Sequence, residues 1–182
     1  FAERGVTGLM IQGGHGNASD FQRMRAYVAC QLMWNPHQDT RALMQEFLDG
    51  YYGAAGPHLM RYITLLDAAA HRNPNFWLGC FNDNTQGWLM LKDVHAAVRI
   101  LDQAAGAVAG NETLTKRVWL TRRSMDFAWL ARYDEFRQES RKTGVPFLEW
   151  AKPHAVLDKL APYRNVWGAY RTWKDFRFYY DT

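Results

Sequence analysis

Much of what usually announces a function is scarce in this 182-residue chain. Cysteine is limited to Cys30 and Cys80, with no CxxC pair and no Cys/His ligand spacing, so neither a structural zinc nor a disulfide framework is suggested; one isolated disulfide stays open. No apolar run reaches the roughly 18 residues that cross a bilayer, and the N-terminus lacks the charged-then-apolar layout of a signal peptide, so no membrane partner is expected. Isoleucine and valine together supply 12 residues against 46 for alanine, leucine and methionine, a balance that favours helix and argues against a sheet-dominated fold.

Charge of one sign is also in short supply. The net charge is +4, and the stretch from Lys116 to Lys142, with eight basic residues against four acidic ones, accounts for an excess of that size by itself. A nucleic-acid tract is denser in cations, and Asp126, Asp134 and Glu135 interleave with Arg117, Arg122, Arg123 and Arg132 in a way that points to local ion pairs, so no nucleic-acid partner is expected. His37, His58, His71, His95 and His154 are scattered without a pair at ligand spacing, which leaves no metal site and no cofactor in the reading. A Ser-His-Asp constellation is missing, and Gly13-Gly14-His15-Gly16 has neither the lysine of a phosphate-binding loop nor the spacing of a dinucleotide fingerprint.

Aromatics are abundant, at 15% of the chain with 8 tryptophans. Such rings bury a large area at few torsions and also form flat surfaces on which sugars stack. Along the chain, Val6 to Ile11 is a short apolar run bounded by glycine and reads as a buried strand. The glycine-rich loop Gln12 to Asn17 follows as a strand-to-helix junction.

Helical spacing begins near Ser19 with Phe21, Met24, Val28 and Leu32, with Asp20 where a carboxylate favours a helix N-terminus; Pro36 ends it near Trp34. Asp39 is the expected N-cap of a second helix that Gly53 ends, and Gly56-Pro57 opens a third. A structured loop spans Asn73 to Gln86, pinned by Phe76, Trp77 and Phe81. The fourth helix runs from Leu91 to Ala109 with Gly110 as its cap, and Asn111 caps a long fifth helix reaching about Lys142, apolar on two faces and therefore central. Pro146 opens a shorter helical stretch broken by Pro153, and the aromatic tail from Tyr163 stays unassigned. The expectation is a mainly α bundle of about five to six helices preceded by one short strand: 1–18 as strand and loop, 19–162 as the helical domain, 163–182 as the tail.

The stretch Tyr27-Val28-Ala29-Cys30-Gln31-Leu32-Met33-Trp34-Asn35-Pro36, followed by Glu46-Phe47-Leu48-Asp49-Gly50-Tyr51-Tyr52-Gly53, resembles a large bacterial family built on a domain of unknown function, whose members look like glycoside hydrolases. The similarity continues through Leu101-Asp102-Gln103-Ala104 and Arg117-Val118 and covers roughly residues 5 to 140. It implies a (β/α)8 barrel followed by a helical C-terminal region, with Val6 to Ile11 as the final barrel strand and Gln12 to Asn17 on the active-site face. The other strands lie outside this chain, and so would the pair of catalytic carboxylates; Asp20 is the nearest acid to the loop.

On that reading the partner is a carbohydrate, the setting is secreted or periplasmic, and Gln12, His15 and Asn17 would bond sugar hydroxyls, with Trp34 as a stacking platform. The bland alternatives are a solvated glycine turn and a core tryptophan. The chain opens on Phe1 rather than methionine, which gives the expectation that processing or truncation removed what came before. The competing function is a helical protein-interaction module, without any carbohydrate role, that binds through Trp167, Trp173 and Tyr179 of the tail.

Overall fold

In the computed structural model, residues 2–11, 20–77, 85, 87–148, 155, 156 and 158 are described. They form six α-helices: α1 (Gln22–Trp34), α2 (Thr40–Tyr52), α3 (Gly56–His71), α4 (Leu91–Ala107), α5 (Glu112–Ala131) and α6 (Tyr133–Thr143). The mainly α bundle expected from composition is thus present. Short connections make sequence neighbours pack as spatial neighbours: α1 lies on α2, α2 on α3, α3 on α4 and α4 on α5, while α5 also touches α2.

Local chemistry sets the helix limits. Asp39 Oδ1 accepts the backbone N–H groups of Arg41 at 2.8 Å and Ala42 at 3.2 Å, and Asn111 Oδ1 accepts that of Leu114 at 3.0 Å, so both expected caps satisfy donors that have no partner inside the helix. Gly53, at φ 57 and ψ −133, occupies backbone space nearly closed to other residues and stops α2. The first turn of α4 is held both from outside and from within: Glu139 on α6 accepts the Leu91 N–H at 2.9 Å, and Asp93 of the helix itself accepts that of Met90 at 3.0 Å while pairing with Arg72.

The core is centred on α3, α4 and α5, where Trp129, Tyr62, Leu59, Leu91 and Leu101 are almost wholly enclosed, joined by Phe136 of α6. Each such side chain stabilises the fold by roughly 1.5–3 kcal/mol through removal from water. Tyr52 reaches across from α2 to hydrogen-bond Thr121 of α5 at 2.9 Å.

Four expectations need correction. The long fifth helix is two helices, broken at Arg132 (φ −118, ψ 21), because the Arg132 guanidinium is drawn sideways to the carbonyls of Thr85 and Leu89 and to Glu135. Of its expected second apolar face only Leu130 is fully buried; Leu120 and Phe127 are half-buried. The first helix starts at Gln22, after Phe21 at φ 48, so Asp20 stands outside it, half-buried with its Oδ1 enclosed, rather than in its first turn. Trp77 is 86% exposed and cannot pin its loop, a task left to the half-buried Phe76; Phe81 lies outside the described residues.

The run Val6 to Ile11 has no regular secondary structure and no ladder among the described residues. A strand exists only through hydrogen bonds to a neighbour, and no neighbouring strand is among them. Residues 144–148 are non-helical, and the stretch around Pro153 and the tail from 163 to 182 fall outside the described residues.

Candidate functional site

Helix α1 carries two adjacent apolar rows at four-residue spacing: Met24, Val28 and Leu32 in one, Ala29 and Met33 in the other, with Arg25 heading the second. The first row turns Met24 and Val28 into the core. The second row is less covered, and both rows line a groove.

That groove has a volume of about 880 Å³ and is closed on its other sides by the segment 6–11, the turn at Pro36, and Thr40 and Met44 of α2. Among the described residues, Arg25 is the only charged side chain in its wall. The segment crossing it is itself poorly covered: Val6 is 44%, Leu9 39%, Met10 92% and Ile11 53% exposed. Contiguous exposed apolar surface of this kind marks an interaction site in a protein that is otherwise well packed.

Trp34, the last residue of α1, is 91% exposed, which rules out the core role and leaves its indole free as a platform. Its neighbour Met33 lines the groove. Gln12, His15 and Asn17 lie outside the described residues, so of the four expected sugar-contacting residues only Trp34 is placed. Trp167, Trp173 and Tyr179, on which the interaction-module reading rests, lie outside them as well.

Arg25 also connects the groove to an acidic group that sequence reading treated as a helix-terminus residue. Burial pushes the Asp20 carboxyl up to about 7, with Arg25 pulling in the opposite direction. Its Oδ1 is buried without a hydrogen-bond partner among the described residues. Next to it, Phe21 packs its ring against Tyr52 and Tyr62, with centroids 6.3 Å and 6.1 Å apart respectively. Desolvation raises both phenols, Tyr62 well above its ordinary value, and the Asp20 charge contributes in each case.

Two of the expected local ion pairs form, Arg122 with Asp126 on α5 and Arg132 with Glu135 just after it, and Arg122 also pairs with Asp102 of α4. Arg117 lies 4.0 Å above the Tyr51 ring centroid and donates to the Tyr51 carbonyl at 2.6 Å. Among the described residues, no three of His, Cys, Asp and Glu gather as a metal site, and no helix is long and apolar enough to cross a membrane.

Architecture and groove together define a helical bundle with one apolar face left open by α1. Residues 1–64 match the model of a family described as a domain of unknown function (DUF4838), roughly a third of the chain. Every residue lining the groove falls within that match. No curated protein and no solved structure matches the chain. The groove was hidden from sequence reading because α1 looks like a one-faced amphipathic helix when only its best-spaced row is followed; Ala29, Met33 and Trp34, off that row, were the available signal.

Proposed function

We propose that the chain is the helical C-terminal domain of a carbohydrate-active, glycoside-hydrolase-like protein, seated against a (β/α)8 barrel and bordering its substrate cleft. The observation that carries this reading is the exposed apolar segment 6–11 laid across an apolar groove. Paired as the last strand of a parallel barrel, the same segment would bury its side chains on both faces and satisfy its backbone, which suits a near-continuous apolar run. The loop 12–17 would then open on the face where such barrels bind substrate.

Trp34 supplies a flat, solvent-facing indole of the type that stacks on a pyranose ring, and Gln12, His15 and Asn17 supply donors and acceptors for its hydroxyls. Hydrolysis of a glycosidic bond needs two carboxylates roughly 5–10 Å apart, and on this reading the barrel provides them. The chain alone would bind weakly and hydrolyse nothing. The setting that suits such a protein is secreted or periplasmic.

Two measurements test this. Backbone amides of 6–11 should exchange with solvent rapidly in the chain alone and slowly in a polypeptide that also carries its barrel; equally fast exchange in both removes the strand assignment. Tryptophan fluorescence of the barrel-containing protein, titrated with neutral oligosaccharides and uronic acids, should respond, and the response should diminish in Trp34→Ala. A flat signal across the panel counts against the carbohydrate role.

A further inference from the structure

We propose that the Asp20–Phe21 corner is a proton-operated latch: with Asp20 neutral the corner stays seated on Tyr52 and Tyr62, and ionisation of Asp20 releases it from them at the start of α1.

Three observations of geometry carry this. Asp20 is half-buried and its Oδ1 is buried with no hydrogen-bond partner among the described residues, so a negative charge there loses solvation and is offset by Arg25 alone, whereas a neutral carboxyl is tolerated. Phe21 follows at φ 48, a left-handed conformation that costs a bulky residue energy and persists only where surrounding contacts enforce it. Those contacts are the Phe21 ring against Tyr52 of α2 and Tyr62 of α3. In a strained corner held only by ring packing, the added cost of a charge on the adjoining half-buried carboxyl is enough to favour release.

The charged and titratable groups around the corner fit this role. On α1, Arg25 is the cation acting on Asp20, and it also lines the groove. From α2 and α3 come Tyr52 and Tyr62, both held neutral by burial. From α5, Arg117 acts on Tyr52 and Asp126 on Tyr62. Desolvation outweighs Arg25 and holds the Asp20 carboxyl up to about 7, which puts the switch near neutrality. The inference concerns the corner alone and does not rest on the carbohydrate reading.

The test uses the whole chain. The Asp20 side-chain carbon, followed by NMR from pH 4 to 9, should titrate near neutrality, and amide exchange of residues 20–25, corrected for its intrinsic pH dependence, should accelerate tenfold or more over the same interval. Asp20→Asn, which keeps the shape and removes the proton, should make that corrected exchange independent of pH. Arg25→Gln should move both transitions to higher pH by removing the one cation that favours ionisation, an effect that a purely structural role of Arg25 would not produce. An Asp20 that titrates near 4, or exchange that still accelerates in Asp20→Asn, overturns the latch. The wild-type titration decides the matter even if a variant fails to fold.

Discussion

A methyl group added at Gly53 would meet Leu114 Cδ1 at 3.1 Å, and the backbone there sits at φ 57, where L side chains are strained. Gly53→Ala should therefore lower stability by about 1–3 kcal/mol, read from denaturant midpoints. Gly56 is tighter for a different reason: its Cβ would lie 2.5 Å from the Asp49 carboxylate and 3.0 Å from backbone of α2, so Gly56→Ala must push two helices apart. Asp39→Ala removes a cap from two N–H groups at the surface and should cost about 1 kcal/mol, visible as a lowered melting temperature without loss of the fold. The Asp39 and Asn111 caps were legible in the sequence, since a short polar side chain before an apolar period has few other uses. The burial of Asp20 was not, because a carboxylate near a helix start looks the same whether it faces water or two tyrosines.

At the level of whole elements, the break between α5 and α6 is imposed from outside. Arg132 donates to the Leu89 carbonyl at 2.7 Å and to that of Thr85 at 3.1 Å, while its guanidinium lies 4.5 Å from the Phe136 ring centroid. Replacing it with alanine leaves two part-buried carbonyls short of a donor and should cost about 2–3 kcal/mol, with early loss of amide protection at the start of α4. If protection around Leu91 outlasts that of the rest of the core, the proposed tie is wrong. No local signal marks this break, because Arg132 is a good helix former and the apolar period runs through it. The starts of α2 and α5, by contrast, follow from their caps and the end of α2 from Gly53, with tertiary structure merely agreeing.

Over the whole molecule, two buried groups tilt stability in opposite directions with pH. Asp20 has a folded-state pKa raised from 3.8 to about 7, so its contribution is complete below about pH 4 and is lost as pH rises through 7. His95 is buried, and desolvation followed by the Arg99 charge lowers its pKa below 6.5; its contribution is present above that value and is lost as pH falls through the folded-state pKa. Thermal melts from pH 4 to 9 should therefore lose, in Asp20→Asn, the fall in stability between about pH 4 and 7, and in His95→Gln the opposing fall that sets in as pH drops below 6.5. Trp34→Ala should leave the melting temperature within about 0.5 kcal/mol equivalent of wild type, since a side chain that is 91% exposed contributes little to the core.

Composition and spacing by themselves determined that this chain is a bundle of helices, because leucine, alanine and methionine at three- and four-residue intervals admit little else, and the caps and glycines fixed most of the helix limits. Which apolar residues end in the core and which stay open was decided only in three dimensions. Met24 and Met33 are the same residue on the same helix and both reach the groove, yet one is 5% exposed within the core cluster while the other is 49% exposed. Burial depends on what lies opposite a side chain, and that is a property of the packed helices, not of their order along the chain.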